Sequence, residues 1–270
     1  MDRKKLKKGA FIASLGAVAL IGMTAAFLTS NDETDNRFKV ANVDLSITES
    51  FDRDQTLAAG QIITKQPSVK NTGSVKQLFF VEVSVPCMET TLVDENGQRI
   101  VPTGKSGTLT AADYKQLAEI FDLLSTSETD KKAVVPHEPT DTKYASIQYN
   151  TGGSAGGWVY LKQTESEQEY KGVNGYMDGK YNTYLFGYST WVEPDSSTIP
   201  VFDKLRLRSM VDGDLTDKTV GQVTVRAYTI QQEDLKTDVT HEGTAASPYN
   251  INDLTALYGI IENKEGKTNG

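Results

Sequence analysis

The feature that most restricts how this chain can fold is a period of two that recurs along it in short runs. Between residues 77 and 85, Phe79, Val81, Val83 and Val85 share one side and Glu82 and Ser84 the other, the spacing of a strand whose successive side chains point to opposite faces. Val43, Leu45 and Ile47 alternate in the same way with Asp44, Ser46 and Thr48, and Leu205 and Leu207 with Arg206 and Arg208. Val223, Val225 and Ala227 alternate with Thr224, Arg226 and Tyr228. Other strand-like runs cover 61–69, 146–150, 158–162, 183–192, 201–209 and 220–231, each bounded by Gly, Pro, Asn or Asp. Many short strands between turn residues predict a mainly β fold, a jelly-roll-like antiparallel β-sandwich. Phe38 and Val40 have the opposite parity to Val43, which a bulge near Ala41 or Asn42 would reconcile.

Turn chemistry punctuates the strands. Asn71-Thr72-Gly73-Ser74 reads as a turn. Glu95-Asn96-Gly97, flanked by 91–94 and 98–101, reads as a hairpin, because an Asn-Gly pair accepts positive φ. Across 111–124 the period changes: Tyr114, Leu117, Ile120, Phe121 and Leu124 fall on one helical face, and Thr110 with Asp113 resembles a capping box. The expectation is an inserted helix followed by a mobile surface loop over 125–143, which carries Pro136 and Pro139, so that the whole insertion runs from about 108 to 143. A short C-terminal helix is expected over 252–262, with Leu254, Leu257 and Ile261 inward.

The N-terminus carries a different message. Arg3, Lys4, Lys5, Lys7 and Lys8 precede an uncharged run from 9 to 30, the order of a secretory signal, in which positive charge stays inside and an apolar segment enters the bilayer. The run ends in the small residues Thr24, Ala25 and Ala26, which favours cleavage over an uncleaved anchor. Residues 1–25 are read as a signal peptide, 26–37 as a flexible polar segment with an apolar tip, and 38–270 as one domain. Losing residues 1–25 makes the remainder more acidic than the net −8 of the whole chain. Such a field disfavours nucleic acid and anionic membranes as partners. A single cysteine, Cys87, excludes an internal disulfide and reads as a buried small hydrophobe.

Candidate chemistry is sparse. His137 and His241, the only histidines, lie in polar sequence and read as surface residues, outside any His-Glu-x-x-His helix. Gly152-Gly153-Ser154-Ala155-Gly156-Gly157 precedes a strand and lacks Gly-Lys-Ser/Thr, so it reads as a flexible loop or bulged strand entry and not a phosphate loop. Asp212, Asp214 and Asp217 surround Gly213 without the order of an EF-hand and read as a turn. Tyr170, Tyr176, Tyr181, Tyr184, Tyr188 and Trp191 could present an aromatic surface to glycans or another subunit, but cross-strand aromatic pairs would leave the same pattern. No catalytic, cofactor-binding or metal residue is nominated. The C-terminal residues 263–270 are polar, with no sorting motif or apolar tail, so surface retention is expected to need assembly or a partner.

Several segments, in order, resemble the TasA/camelysin family of exported Gram-positive proteins processed by the signal peptidase SipW. They are Gly22-Met23-Thr24-Ala25-Ala26-Phe27, the polar leader, Phe38-Lys39-Val40-Ala41-Asn42-Val43-Asp44-Leu45-Ser46, and Val69-Lys70-Asn71-Thr72-Gly73-Ser74. Two later pieces, Thr198-Ile199-Pro200-Val201-Phe202-Asp203-Lys204 and the run from Val223 to Gln232, are also similar. The resemblance implies cleavage between Ala25 and Ala26, with Ala26/Phe27 the competitor because Met23 departs from the usual small residue. It also implies a secreted subunit of an extracellular or biofilm matrix fibre, a homopolymer in which Ala26, Phe27 and Leu28 lead a donated strand, and an anchoring or nucleating matrix partner. Two other readings stand beside it. One is a cell-surface adhesin for glycan or host protein; the other is a metallopeptidase, as camelysin is described, for which this chain offers few ligands.

Overall fold

A computed structural model describes residues 45–48, 58–138, 140–165, 180–211, 223–232 and 239–268. The described chain is mainly β, with antiparallel sheets and one C-terminal helix. Its strands in chain order are β1 Leu45–Thr48, β2 Ile62–Thr64, β3 Ser68–Asn71, β4 Gln77–Thr90, β5 Gln116–Glu119, β6 Phe121–Leu124, β7 Lys132–Val134, β8 Gln148–Asn150, β9 Trp158–Glu165, β10 Lys180–Tyr188, β11 Lys204–Leu207 and β12 Thr224–Gln231; α1 covers Ile251–Thr268.

The long β4 organises the molecule. It sits between β12 and β10 in a five-stranded sheet of order β12-β4-β10-β9, and its far end also pairs with β5. The alternation read in the sequence is present: Phe79, Val81, Val83 and Val85 are all fully buried in one core. That core is completed by Ile63, Leu205, Leu207, Phe121 and Leu123 from a second sheet of order β2-β11-β6. The other face of β4 is apolar only at its start, where Leu78 and Phe80 join Leu185 and Ile230 in a second core under Leu254, Leu257 and Ile261 of α1. The expected inward face of the C-terminal helix is therefore confirmed, although α1 runs on to Thr268. Asn250 starts α1, its side-chain oxygen accepting the N–H groups of Asn252 at 2.8 Å and Asp253 at 3.1 Å.

Two expected turns are confirmed. Buried Asn71 donates its amide to the carbonyls of Val75 and Val192 and accepts the N–H of Gly73 at 2.9 Å. The hairpin at 94–98 closes with Gly97 donating to the Asp94 carbonyl at 3.0 Å and adopting φ of 74°.

The inserted helix is not there. Ala111–Tyr114 makes only a 3-10 turn, with Thr110 and Asp113 capping it as expected, and the rest of 111–124 becomes β5 and β6. The two strands belong to different sheets: β5 pairs with β4, and β6 with β11. At the crossing the Ile120 N–H reaches the Pro86 carbonyl at 3.1 Å. Burial on both sides of this corner spaces the apolar residues in a way that imitates a helical face. The expected loop over 125–143 likewise contains β7, paired to β8, and a buried Val135. The expected strand over 61–69 is two strands, β2 and β3, separated at Pro67 and pairing with different partners. The strand thought to end before Pro86 continues through it to Thr90. The possible bulge near Ala41 lies outside the described residues.

Candidate functional site

The most unusual chemistry lies where β5, β10 and the segment 135–147 meet. Antiparallel pairing sets Glu119 opposite Cys87, while β10 runs along the other edge of β4 and brings Asn182 opposite Val85 and Tyr184 opposite Val83. Glu119 is completely buried. Its carboxylate accepts the Asn182 amide at 2.8 Å, the Ala145 N–H at 2.6 Å and a short hydrogen bond from the Tyr184 hydroxyl. The Tyr184 oxygen also lies 3.3 Å from His137 Nε2. With the Tyr184 proton given to the carboxylate, His137 is the donor, and a chain His137 to Tyr184 to Glu119 results.

A second tier closes over the first. His137 stacks on Tyr144 with ring centroids 4.2 Å apart, and the Tyr144 hydroxyl donates to Glu165 at the end of β9. Lys143 lies 3.5 Å from Glu165 and 4.6 Å from the centre of the Tyr144 ring. From beneath, Arg208 donates to the carbonyls of Glu119 at 2.9 Å and Thr142 at 3.1 Å. Segment 135–147 is thus held to the sheet by polar contacts from β5, β9, β10 and the residue after β11.

Burial dominates the electrostatics. It holds the Glu119 carboxyl above the ordinary carboxylate value, against three donors that favour the anion. It pulls His137 below its usual value, with Asp141 and Glu165 opposing. The Cys87 thiol is pushed up to about 12, first by burial and then by the charge of Glu119, so it is a poor nucleophile. The Tyr184 hydroxyl is raised by burial and by the adjoining carboxylate. Through its three donors the Glu119 carboxylate ties β5 to β10 and to residue 145, and the Tyr184 hydroxyl links it to His137. Among the described residues no three His, Cys, Asp or Glu side chains gather as a metal site.

A different kind of site lies at the end of the central sheet. β9 pairs with β10 on one side, and among the described residues nothing pairs with its other edge. From Val159 to Glu165 every residue is half-buried or exposed. At the opposite end β12 pairs with β4, and among the described residues no strand pairs with its other edge either. A strand edge without a neighbouring strand is a template for another strand.

The sequence-derived candidates are distributed as follows. Ala25, Ala26, Phe27 and Leu28, the Asp212, Asp214 and Asp217 turn, and Tyr170 and Tyr176 lie outside the described residues. Tyr181, Tyr184 and Tyr188 are buried, and half-buried Trp191 donates its indole N–H to the Glu242 carbonyl at 3.1 Å. Both histidines, expected at the surface, are half-buried and engaged, His241 through Asp253 at 2.7 Å. The glycine-dense run, expected to be a flexible loop or bulged strand entry, is a folded turn leading into β9, in which a side chain on Gly152 would collide with the Gly156 carbonyl and one on Gly157 with Thr151. Cys87 is half-buried within β4. Glu119 was not anticipated, although a carboxylate inside the run Leu117-Ala118-Glu119-Ile120-Phe121 is a visible anomaly. Compared with family models, characterised proteins and solved structures, the chain matches none.

Proposed function

We propose that this protein is an exported jelly-roll subunit of an extracellular matrix fibre, of the TasA/camelysin kind, that polymerises with copies of itself. Residues 26–37, released from the membrane by a SipW-type signal peptidase, add as a strand to the sheet of the next copy. An anchoring or nucleating matrix protein then holds the fibre at the cell surface. The observation that supports this reading is that, among the described residues, no strand pairs with the outer edge of β9. Main-chain hydrogen bonding along such an edge supplies affinity, and alternate side chains supply specificity. Before cleavage the apolar tip of the leader is held in the bilayer, so processing licenses assembly.

Of the aromatic residues behind the adhesin reading, Tyr181, Tyr184 and Tyr188 are buried, Trp191 is half-buried, and Tyr170 and Tyr176 lie outside the described residues. Negative-stain electron microscopy tests the proposal, with protein beginning at Ala26 compared with protein beginning at Phe38, both at high concentration. Filaments are expected from the first and dispersed particles from the second. Dispersed particles from both, or filaments from both, would overturn strand donation by the leader.

A further inference from the structure

The hairpin that follows β4 carries a reactive pair at its tip. Residues 94–99 are all exposed, and the turn at their centre is Asn96-Gly97. A main-chain nitrogen can attack the side-chain amide of the residue before it when nothing bulky stands on its own α-carbon. Gly97 has no side chain, adopts φ of 74°, and a Cβ placed on it would meet nothing within 4 Å, so a ring closed between the two residues has room to form. The hydrogen bonds that tie the turn lie at the surface. The Asp94 carboxylate accepts the N–H groups of Asn96 at 2.9 Å and Gln98 at 2.8 Å, and the Asp94 carbonyl accepts the Gly97 N–H at 3.0 Å. Bonds of this kind, at a loop tip with no apolar burial, belong to the part of a fold that opens most easily.

Other asparagines are held away from this chemistry. Asn71, Asn150 and Asn182 are buried, and each donates its side-chain amide: Asn71 to the carbonyls of Val75 and Val192, Asn150 to the Pro200 carbonyl at 3.0 Å and Asn182 to Glu119 at 2.8 Å. All three are followed by threonine, and Asn250 by isoleucine, whose branched Cβ crowds the main-chain nitrogen that would have to attack. Asn252 is followed in α1 by Asp253, whose N–H is held by the Asn250 side chain at 3.1 Å. Among the described residues Asn96 is the one asparagine that precedes glycine.

We propose that Asn96 is a site of covalent self-modification, converting without an enzyme to aspartate and isoaspartate through a cyclic imide with Gly97. The Gly97 nitrogen gives its proton to solvent and bonds to the side-chain carbonyl carbon of Asn96; the bond from that carbon to Nδ2 breaks, and ammonia leaves. Water then opens the imide. Cleavage between the Gly97 nitrogen and the side-chain carbonyl gives aspartate. Cleavage between that nitrogen and the main-chain carbonyl gives isoaspartate, in which the chain runs through the former side chain. Either product places a new negative charge beside Asp94 and Glu95, in a chain whose net charge is already −8. Isoaspartate also adds a carbon to the main chain between Asp94 and Gln98, whose hydrogen bonds, the Asp94 N–H to the Gln98 carbonyl at 2.9 Å among them, set the width of the hairpin. The tip must re-form, while β4 and both cores, which take nothing from it, stay as they are. The site therefore records the age of the molecule as surface charge.

Trypsin cuts after Lys76 and Arg99 and releases residues 77–99, in which Asn96 is the only asparagine; Asn174-Gly175, outside the described residues, falls in a different peptide. The purified chain is aged in mildly alkaline buffer, digested and analysed by mass spectrometry. Peptide 77–99 is expected to gain the mass of an amide-to-acid exchange and to resolve into two products, the isoaspartyl one accepting a methyl group from an isoaspartyl methyltransferase. The peptides that carry Asn71, Asn150 and Asn182 should keep their mass. Asn96→Gln, a change at an exposed position, should abolish the gain, which separates Asn96 from Gln77 and Gln98 in the same peptide. A peptide 77–99 that stays unchanged in the aged folded chain would overturn the proposal, and conversion of the same peptide in urea would then show that the turn protects Asn96. Earlier conversion at Asn71, Asn150 or Asn182 would overturn it as well, and aspartate without isoaspartate would rule out the imide.

Discussion

Glu119 shows how one residue can be both costly and necessary. A fully buried carboxylate is expensive unless hydrogen-bonded, and here Asn182, Tyr184 and Ala145 all donate to it. Replacing it with alanine orphans three buried donors at once, so Glu119→Ala should lose on the order of 3 kcal/mol or more, read as a lower urea midpoint. Glu119→Gln should lose less, and its penalty should depend on pH. Burial raises the folded-state carboxyl above 4.5, so folding opposes ionisation, and wild-type stability falls as pH rises from that value through the raised one. Glutamine does not ionise. The advantage of wild type over Glu119→Gln should therefore be larger at pH 4 than at pH 8, and an advantage that grows with pH would contradict the assigned direction. Nothing in the local sequence names the three donors, because they arrive from residues 26 to 65 positions away. Only the anomaly of a charge within an apolar run was legible.

At the scale of elements, what could be read was parity, and what could not was where the chain changes sheet. β4, β11 and β12 were legible because each keeps one face against a core along its length. Residues 116–124 were not, since the chain turns at Ile120 from the edge of one sheet into another, and burial there follows neither a period of two nor a true helical period. Turns were legible where they needed Gly or Asn, but their packing was not. Gly97 and Gly243 both adopt positive φ, 74° and 66°. A Cβ on Gly97 would meet nothing within 4 Å, whereas one on Gly243 would come within 2.2 Å of the Tyr249 ring. Gly243 also holds the Trp191 N–H at 2.8 Å, tying its turn to the chain after β10. Gly97→Ala should thus cost only backbone strain, about 1–2 kcal/mol. Gly243→Ala should cost clearly more, because Tyr249 must leave the core under α1. Paired thermal melts measure the difference, and equal losses would show that the Tyr249 contact adds nothing.

Across the whole molecule, the two cores are not independent, because they are the two faces of one strand. Phe79 and Val81 point into the core shared with the second sheet, while Leu78 and Phe80, their immediate neighbours, point into the core under α1. Opening either core frees one face of β4 and weakens the pairing of β10 and β12 that the other core requires. The two tryptophans of the chain happen to report the two sides. Trp158 is fully buried in the first core and donates to the Ile199 carbonyl at 2.8 Å. Trp191 packs against the second, 6.0 Å from Tyr249. In Trp191→Phe protein, fluorescence follows the first core, and in Trp158→Phe protein it follows the second. Within each variant the denaturation curve from fluorescence should superimpose on that from far-ultraviolet circular dichroism, the behaviour of a two-state unit. If the Trp191 signal changed at lower denaturant than the dichroism, α1 and its core would be opening alone, and β4 would not couple the two halves as its alternating burial requires.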